Sequence, residues 1–280
     1  MYAVVTDLVI GRSYLASAFA FATNWHLVWN FSFVPSNATS ELGIGHLWSL
    51  AIEAQFYLVW PLVALTLIGR RRGVRSALVG LLVLIVAIAL NRARLHSNGV
   101  DVLDIYWRTD TRADAFVIGA VVSVTWLRLD ISPRLAGALG WIGLAFLAYC
   151  ALFRGIVLGD GFYSLGGFTA VAVAAALVVL AVVQGTWVPN RLLASRTMVA
   201  LGVVSYGVYL VHLPIFTEIG RYGGSGEWPT WLRVAISLAP TVAFAAASWF
   251  LIERTVLGLK TRRFGSNRAA VDADTAPDHR

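Results

Sequence analysis

HLWSLAIEAQFYLVWPLVALTLIG, residues 46–69, decides how the rest of the chain is read. Its apolar run is long enough to cross a hydrocarbon core, which takes about 20 residues as a helix. Yet it opens on His46 and carries Glu53 inside. At about 100° per residue, His46, Ser49, Glu53, Tyr57 and Trp60 share one helical face. A charge inside a spanning helix costs roughly 2.5–3.5 kcal/mol on insertion scales, so it calls for a partner or a function. The stripe has two readings: it lines a wet cavity, or it forms a structural hydrogen-bond network between helices.

Outward from this helix the chain repeats the pattern. Of 280 residues, 58% are hydrophobic and 13% charged, against about a quarter charged in an ordinary soluble domain. The apolar excess sits in blocks, which predicts an all-α, polytopic integral membrane helical bundle. About seven transmembrane helices are expected, near 46–68, 75–91, 107–127, 135–153, 163–183, 198–217 and 231–252. Residues 13–30 read as a re-entrant or interfacial segment, with Trp25 and Trp29 suited to a membrane interface. One membrane domain is expected over 1–257, followed by a disordered cytoplasmic tail over 258–280.

The net charge of +7 sits largely between the apolar blocks. RRRGVR (70–75), LRLDISPR (127–134), PNRLLASR (189–196) and the tail residues Lys260, Arg262, Arg263 and Arg268 fall on one side, which the positive-inside rule makes cytoplasmic. The gaps 92–106, 154–162 and 218–230 face the other side, and His46 begins its helix there. The basic balance therefore reads as topology, not nucleic-acid binding. The single cysteine, Cys150, excludes a cysteine-based metal site, and no metal site is expected. Walker, HExxH and GxSxG patterns are absent, so an ATPase, a zinc protease and a soluble-type hydrolase have no support.

Two further clusters place polar groups in or beside apolar spans. In YWRTDTRADAFVIGA (106–120), Asp110 and Asp114 lie one turn apart with Arg112 between them. The plainer reading is a helix start capped and neutralised by its own carboxylates. The functional reading gives Arg112 an anion or a developing oxyanion, oriented by an Asp. In LGVVSYGVYLVHLPIF (201–216), Ser205, Tyr209 and His212 share a face, and Pro214 suggests a local break after the histidine. A lone histidine there is more often a structural donor than a catalyst.

These segments together carry a resemblance. HLWSLAIEAQFYLVWPL (46–62), TDTRADAFVIGA (109–120), LGVVSYGVYLVHLPI (201–215) and FLIERTVL (250–257), with Asn24-Trp25 ahead of them, resemble the ordered motifs of the acyltransferase 3 family of bacterial membrane O-acyltransferases. Ala51 and Ala54 are small departures from the family pattern that leave Glu53 in place, and Thr255 stands where the family has a proline. The resemblance implies a multi-pass protein of the bacterial inner membrane, C-terminus cytoplasmic. It implies transfer of an acyl group, often acetyl from acetyl-CoA, to a hydroxyl of a cell-envelope glycan or a lipid-linked acceptor, with no bound cofactor. Carried over to this chain, Glu53, His46, Arg112 and Asp110 are the candidate catalytic residues. Ser49, Tyr57, Asp114, Tyr209 and His212 are the candidate substrate-binding residues. The expectation that closes the stripe argument is that Glu53 faces a hydrated cavity shared with Ser49, Tyr57 and the Asp110–Arg112 cluster.

The family's front helices, one with an arginine and a histidine assigned to the chemistry, show no matching motif here. The expectation is therefore that this chain corresponds to the C-terminal two-thirds of a member and has little activity alone. A mis-assigned start, a split gene with a separately encoded N-terminal part, or a degraded gene would each give that. Two rivals stand beside the acyltransferase: a carrier or flippase for a lipid-linked glycan, and a non-catalytic remnant or partner subunit.

Overall fold

The computed structural model describes residues 12–30, 45–67, 73–154, 161–222 and 228–256. All the elements in them are helical, and they fall into two compact units, divided between Ala194 and Ser195. Six helical stretches are long and apolar enough to cross a membrane: Gly45–Thr66, Val74–Ser97, Pro133–Arg154, Tyr163–Val183, Arg196–Gly220 and Trp231–Val256. Large apolar side chains stay uncovered on them (Leu58 is 80% exposed), as a bilayer-facing surface requires. The chain is a polytopic membrane bundle.

In the first unit, helical residues 12–19 lead through a turn, where Phe21 takes φ 51°, into α1 (Thr23–Asn30). At eight residues α1 is about 12 Å long, too short to span. A tight 3-10 turn at Gly45–Leu47 precedes α2 (Trp48–Leu67). Next come α3 (Val74–Ser97), the short α4 (Val102–Trp107) and α5 (Thr109–Arg112), and α6 (Asp114–Arg128). The third expected span, 107–127, is thus broken: α6 has 15 residues, and the polar TDTR turn before it forms its own helix. Asp101 caps α4 by accepting from the Leu103 N–H at 2.8 Å, which satisfies one orphan donor of that start.

The helix α7 (Pro133–Tyr149) begins with Ser132 as its cap and Pro133 in its first turn, the arrangement that costs no backbone bond. It continues through a π-helical turn, Cys150–Arg154. A second π turn, Tyr163–Gly167, enters α8 (Phe168–Val183). Gly166 in that turn has φ 144°, a conformation that favours glycine, and it leads directly into Phe168 and Thr169. The short α9 (Asn190–Leu193) closes the unit.

Packing in the first unit centres on α3. Leu81 and Ile88 of α3 meet Val117, Ala120 and Val124 of α6, and Phe56 and Trp60 of α2 pack against that cluster. Helix α8 lies against α6 and α7. Small residues bring α7 and α8 together, as membrane helices require when the lipid gives no hydrophobic drive. A Cβ at Gly143 would sit 2.4 Å from the Ala174 carbonyl oxygen, and one at Gly140 would sit 2.4 Å from the Ala181 Cβ.

The second unit pairs α10 (Arg196–Tyr222) with α11 (Thr230–Ser248), which ends in the π turn Trp249–Glu253. Gly207 admits Ala245 closely. Pro214 does not break its helix, contrary to the sequence expectation: α10 runs through it. Membrane helices tolerate proline because neighbouring groups satisfy the freed carbonyl. Residues 31–44 and the expected tail, 258–280, lie outside the described residues.

The close α7–α8 approach gives a direct test. Gly143→Ala should lower the unfolding temperature in detergent, at a cost of about 1–3 kcal/mol for overpacking against backbone. Gly119→Ala, where nothing lies within 4 Å, should leave it unchanged or raise it slightly. Equal effects of the two in a thermal melt would contradict this packing.

Candidate functional site

The polar groups of the first unit gather around α4, α5 and the start of α6. Three arginines meet there, and each has a different environment. Arg108 donates from Nε to Asp110 Oδ1 at 2.9 Å and from Nη2 to Asp110 Oδ2 at 2.8 Å, a bidentate fork. Asn91 Nδ2 donates to the same carboxylate at 3.1 Å, and the Arg108 guanidinium lies 5.3 Å over the Trp25 ring. Burial works to raise the Asp110 pKa, but the hydrogen bonds from Arg108 and Asn91 and the Arg108 charge outweigh it, and the net shift is downward. The same hydrogen bond raises Arg108.

Arg92 is wholly buried. It donates from Nη1 to the Thr111 carbonyl at 2.6 Å and to Asp114 Oδ2 at 3.0 Å, and from Nη2 to the Thr169 hydroxyl. Thr169 in turn donates to Asp114 Oδ2 at 2.6 Å, and the Ala115 N–H donates to Asp114 Oδ1 at 3.1 Å. One ion pair thus joins α3, α5, α6 and α8.

Arg112 differs from both. It lies 3.9 Å over the Phe168 ring and 5.2 Å from the Tyr106 ring, within reach of cation–π attraction. Among the described residues it has neither a carboxylate partner nor a hydrogen-bond acceptor. Burial lowers its pKa; Tyr106 and Asp114 oppose that and Arg92 adds to it. Its N–H groups are therefore available to a ligand.

A second network sits at the Arg108–Asp110 end. The Gln55 amide donates to Asn24 Oδ1 at 2.9 Å and to the Phe21 carbonyl at 2.8 Å, and accepts from Thr109 Oγ1 at 2.6 Å and Trp25 Nε1 at 3.3 Å. Asn24, fully buried, donates onward to Thr109 Oγ1 at 2.9 Å and to the Trp107 carbonyl at 3.2 Å. A cavity of about 550 Å³ opens beside it, with Gln55, Thr109 and Asp110 at one end and Phe56, Trp60 and Val63 along its side.

The expected residues are distributed as follows. His46 is buried in the turn before α2, and Ser49 Oγ donates to its carbonyl at 3.2 Å. Two residues on, the Trp48 ring packs 4.7 Å from the Tyr106 ring, so the start of α2 and Arg112 share one aromatic side chain. Glu53 accepts from the Tyr57 hydroxyl at 2.8 Å, and Tyr57 is exposed. Neither lines the cavity beside Asp110; from α2, the polar residue that does so is Gln55, which corrects the expectation of a cavity shared by Glu53 and Asp110. His46 lies in the 3-10 turn before α2 begins at Trp48, while the Glu53–Tyr57 hydrogen bond runs along the helical part of the stripe. The self-neutralised reading of 110–114 is also corrected, because Asp110 belongs to Arg108 and Asp114 to Arg92. Asp114, buried with both oxygens engaged, has no face for a substrate. Tyr209 and His212 lie in the second unit, where His212 Nδ1 stands 2.6 Å from the Tyr209 carbonyl oxygen.

Arg92, Gln55 and Thr169 were not among the residues that sequence reasoning assigned to a site, and Asn24 entered only as part of the Asn24-Trp25 match. Arg92 was placed in the 92–106 gap because a charge was read as a helix end; α3 instead runs to Ser97, and the charge is tolerated because Asp114 neutralises it. Gln55, a lone amide in an apolar run, was the available signal for the second network.

Comparison with known proteins gives one family. The acyltransferase 3 model, an acyltransferase domain, matches residues 8–250. YrhL of Bacillus subtilis (strain 168), provisionally named as a peptidoglycan O-acetyltransferase, is 30% identical over 251 residues, covering 86% of this chain and 39% of YrhL. The O-acetyltransferase OatA of Staphylococcus aureus (strain NCTC 8325) is 28% identical over 250 residues, covering 88% of this chain and 41% of OatA. The chain thus spans about two-fifths of the length of these relatives. The match from residue 8 onward lends no support to the expectation that the family's front helices are missing. No solved structure matches.

The Arg108–Asp110 fork predicts a pH signature. The folded Asp110 pKa lies below its unfolded value of about 3.9, so the fork's contribution is complete above that value and is lost as pH falls through the lower folded one. Asp110→Asn should reduce the melting temperature at neutral pH, with the deficit closing as acidification passes below the ordinary carboxylate range. A deficit that does not change with pH would show that the carboxylate charge is not what matters.

Proposed function

The chain belongs to the acyltransferase 3 family, and we propose that it transfers an acetyl group from an anionic thioester donor, acetyl-CoA, to a hydroxyl of a cell-wall glycan. The observation that carries this reading is Arg112: a guanidinium held on the Phe168 and Tyr106 rings, with its donors free, beside the buried start of α2. Names borne by the relatives supply the acetyl group and, for YrhL, the peptidoglycan acceptor.

The chemistry follows from what those groups can do. The acceptor hydroxyl oxygen bonds to the acetyl carbonyl carbon, the C–S bond breaks, and the thiol departs with the proton. A sugar hydroxyl needs a base, and His46, buried and two residues from the Trp48–Tyr106 contact, is assigned that role. Arg112 stabilises the tetrahedral oxyanion or grips the donor's phosphates, tasks suited to a planar fork of N–H donors. Asp110 fixes Arg108 and so acts on the site by position. Ser49 and the Glu53–Tyr57 pair on α2 are assigned to acceptor hydroxyls. Tyr209 and His212 in the second unit are kept as substrate-binding residues. The setting is a multi-pass membrane protein with a cytoplasmic C-terminus; the charge topology puts His46 and Arg112 toward the outer end of the first unit, so the donor's acetyl end reaches them through the bundle from the cytoplasmic side.

Full-length chain in nanodiscs, given acetyl-CoA and cell-wall glycan fragments, should form base-labile acetyl esters and release thiol in equal amount. Arg112→Gln should reduce kcat/KM by about 100-fold or more, the loss typical of one oxyanion donor, and Arg112→Lys should restore little. Undiminished ester formation by Arg112→Gln would sink the role of Arg112. Glycan movement across the bilayer with no ester formed would favour the carrier reading instead.

A further inference from the structure

Arg112 keeps its donors free although two carboxylates lie within two residues of it in sequence. Asp110 is taken by Arg108. Asp114 is the more telling case. It is buried, and a buried carboxylate without a cation is costly. Its field reaches Arg112, as does that of Arg92. Arg112 is a long side chain at the end of α5, two residues from Asp114 across the break between α5 and α6, and the two charges already attract each other. Asp114 is instead held by Arg92, which with Thr169 and the Ala115 N–H engages both of its oxygens. Arg92 also holds the carbonyl of Thr111, the residue before Arg112, and stands 5.7 Å from the same Phe168 ring.

We propose that Arg92 is a positioning residue: its ion pair with Asp114 withholds that carboxylate from Arg112 and so keeps the Arg112 guanidinium on Phe168, open to an anion. The inference rests on the reading of Arg112 as the anion-binding group. It separates two roles that a sequence of alternating charges would blur. Arg92 and Asp114 neutralise each other inside the fold, and Arg112 is the cation left over.

The test is dicarbonyl labelling of arginines in the full-length chain by phenylglyoxal, read residue by residue by peptide mass spectrometry, with the melting temperature recorded for each variant. In the parent chain Arg112 should label and Arg92 should be protected. Arg92→Met should slow labelling of Arg112 by about tenfold, the factor that accompanies one charge-assisted hydrogen bond, because Asp114 then recruits Arg112. The double variant Arg92→Met with Asp114→Asn removes both charges and should bring Arg112 back to near the parental rate. Asp114→Asn alone should leave the Arg112 rate unchanged, and the double variant, which leaves no buried charge unpaired, is the arm that stands where a single variant fails to fold.

Parental labelling of Arg112 in Arg92→Met, equal slowing in single and double variants, or faster labelling in Asp114→Asn would each overturn the proposal. Coenzyme A added to the parent chain should slow labelling of Arg112. No protection would refute the anion-binding reading, while the variant rates would still report whether Arg92 sequesters Asp114.

Discussion

The Arg92–Asp114 ion pair is the constraint on which the first unit depends. Four helices contribute to it: Arg92 from α3, the Thr111 carbonyl from α5, Asp114 from α6 and Thr169 from α8. In a membrane bundle the lipid supplies no hydrophobic drive for helix association, so a buried ion pair whose Nη1 and Nη2 donors are both engaged specifies geometry that apolar packing alone leaves degenerate. Removing one partner leaves the other charged and buried, a loss of the order of 3–5 kcal/mol. The pair therefore acts as a lock on the relative register of these helices, and the α5–α6 break is built around it.

The arrangement of charge around that lock has a functional logic. Of Arg92, Arg108 and Arg112, the first is neutralised by a buried carboxylate, the second by a half-exposed carboxylate, and the third rests on aromatic faces with its charge unneutralised. Aromatic faces steady a cation without occupying its hydrogen-bond donors. That is the property wanted in a group that must meet an anion arriving from outside. The Gln55–Asn24–Thr109 network does complementary work by fixing α1, α2 and the start of α5 to one another with every amide engaged.

Much of this was legible in the sequence and some was not. The apolar blocks gave the bundle, because span length is set by bilayer thickness and leaves little room for another reading. The polar clusters at 46–57 and 109–114 pointed to the right segments. Pairings within them were not legible. Asp110 and Asp114 flank Arg112 in sequence, yet their partners come from Arg108 and, across 22 positions, from Arg92. Nothing local encodes the second choice. His46 lies in the 3-10 turn at Gly45–Leu47, before the helix that carries Glu53 begins, and a helical-wheel argument cannot foresee a change of period. Arg92 itself was misplaced because a charge near the end of an apolar block marks a helix end as often as it marks a buried pair.

The central claim is that an anionic donor is gripped where Arg112 lies on Phe168 and Tyr106. Photo-crosslinking with an azido derivative of coenzyme A, followed by mapping of the labelled peptides in the intact chain, addresses it directly. The account predicts adducts confined to the segments that carry Tyr106, Arg112 and Phe168, competed away by acetyl-CoA. Competable adducts confined to other segments, or none at all, would contradict it.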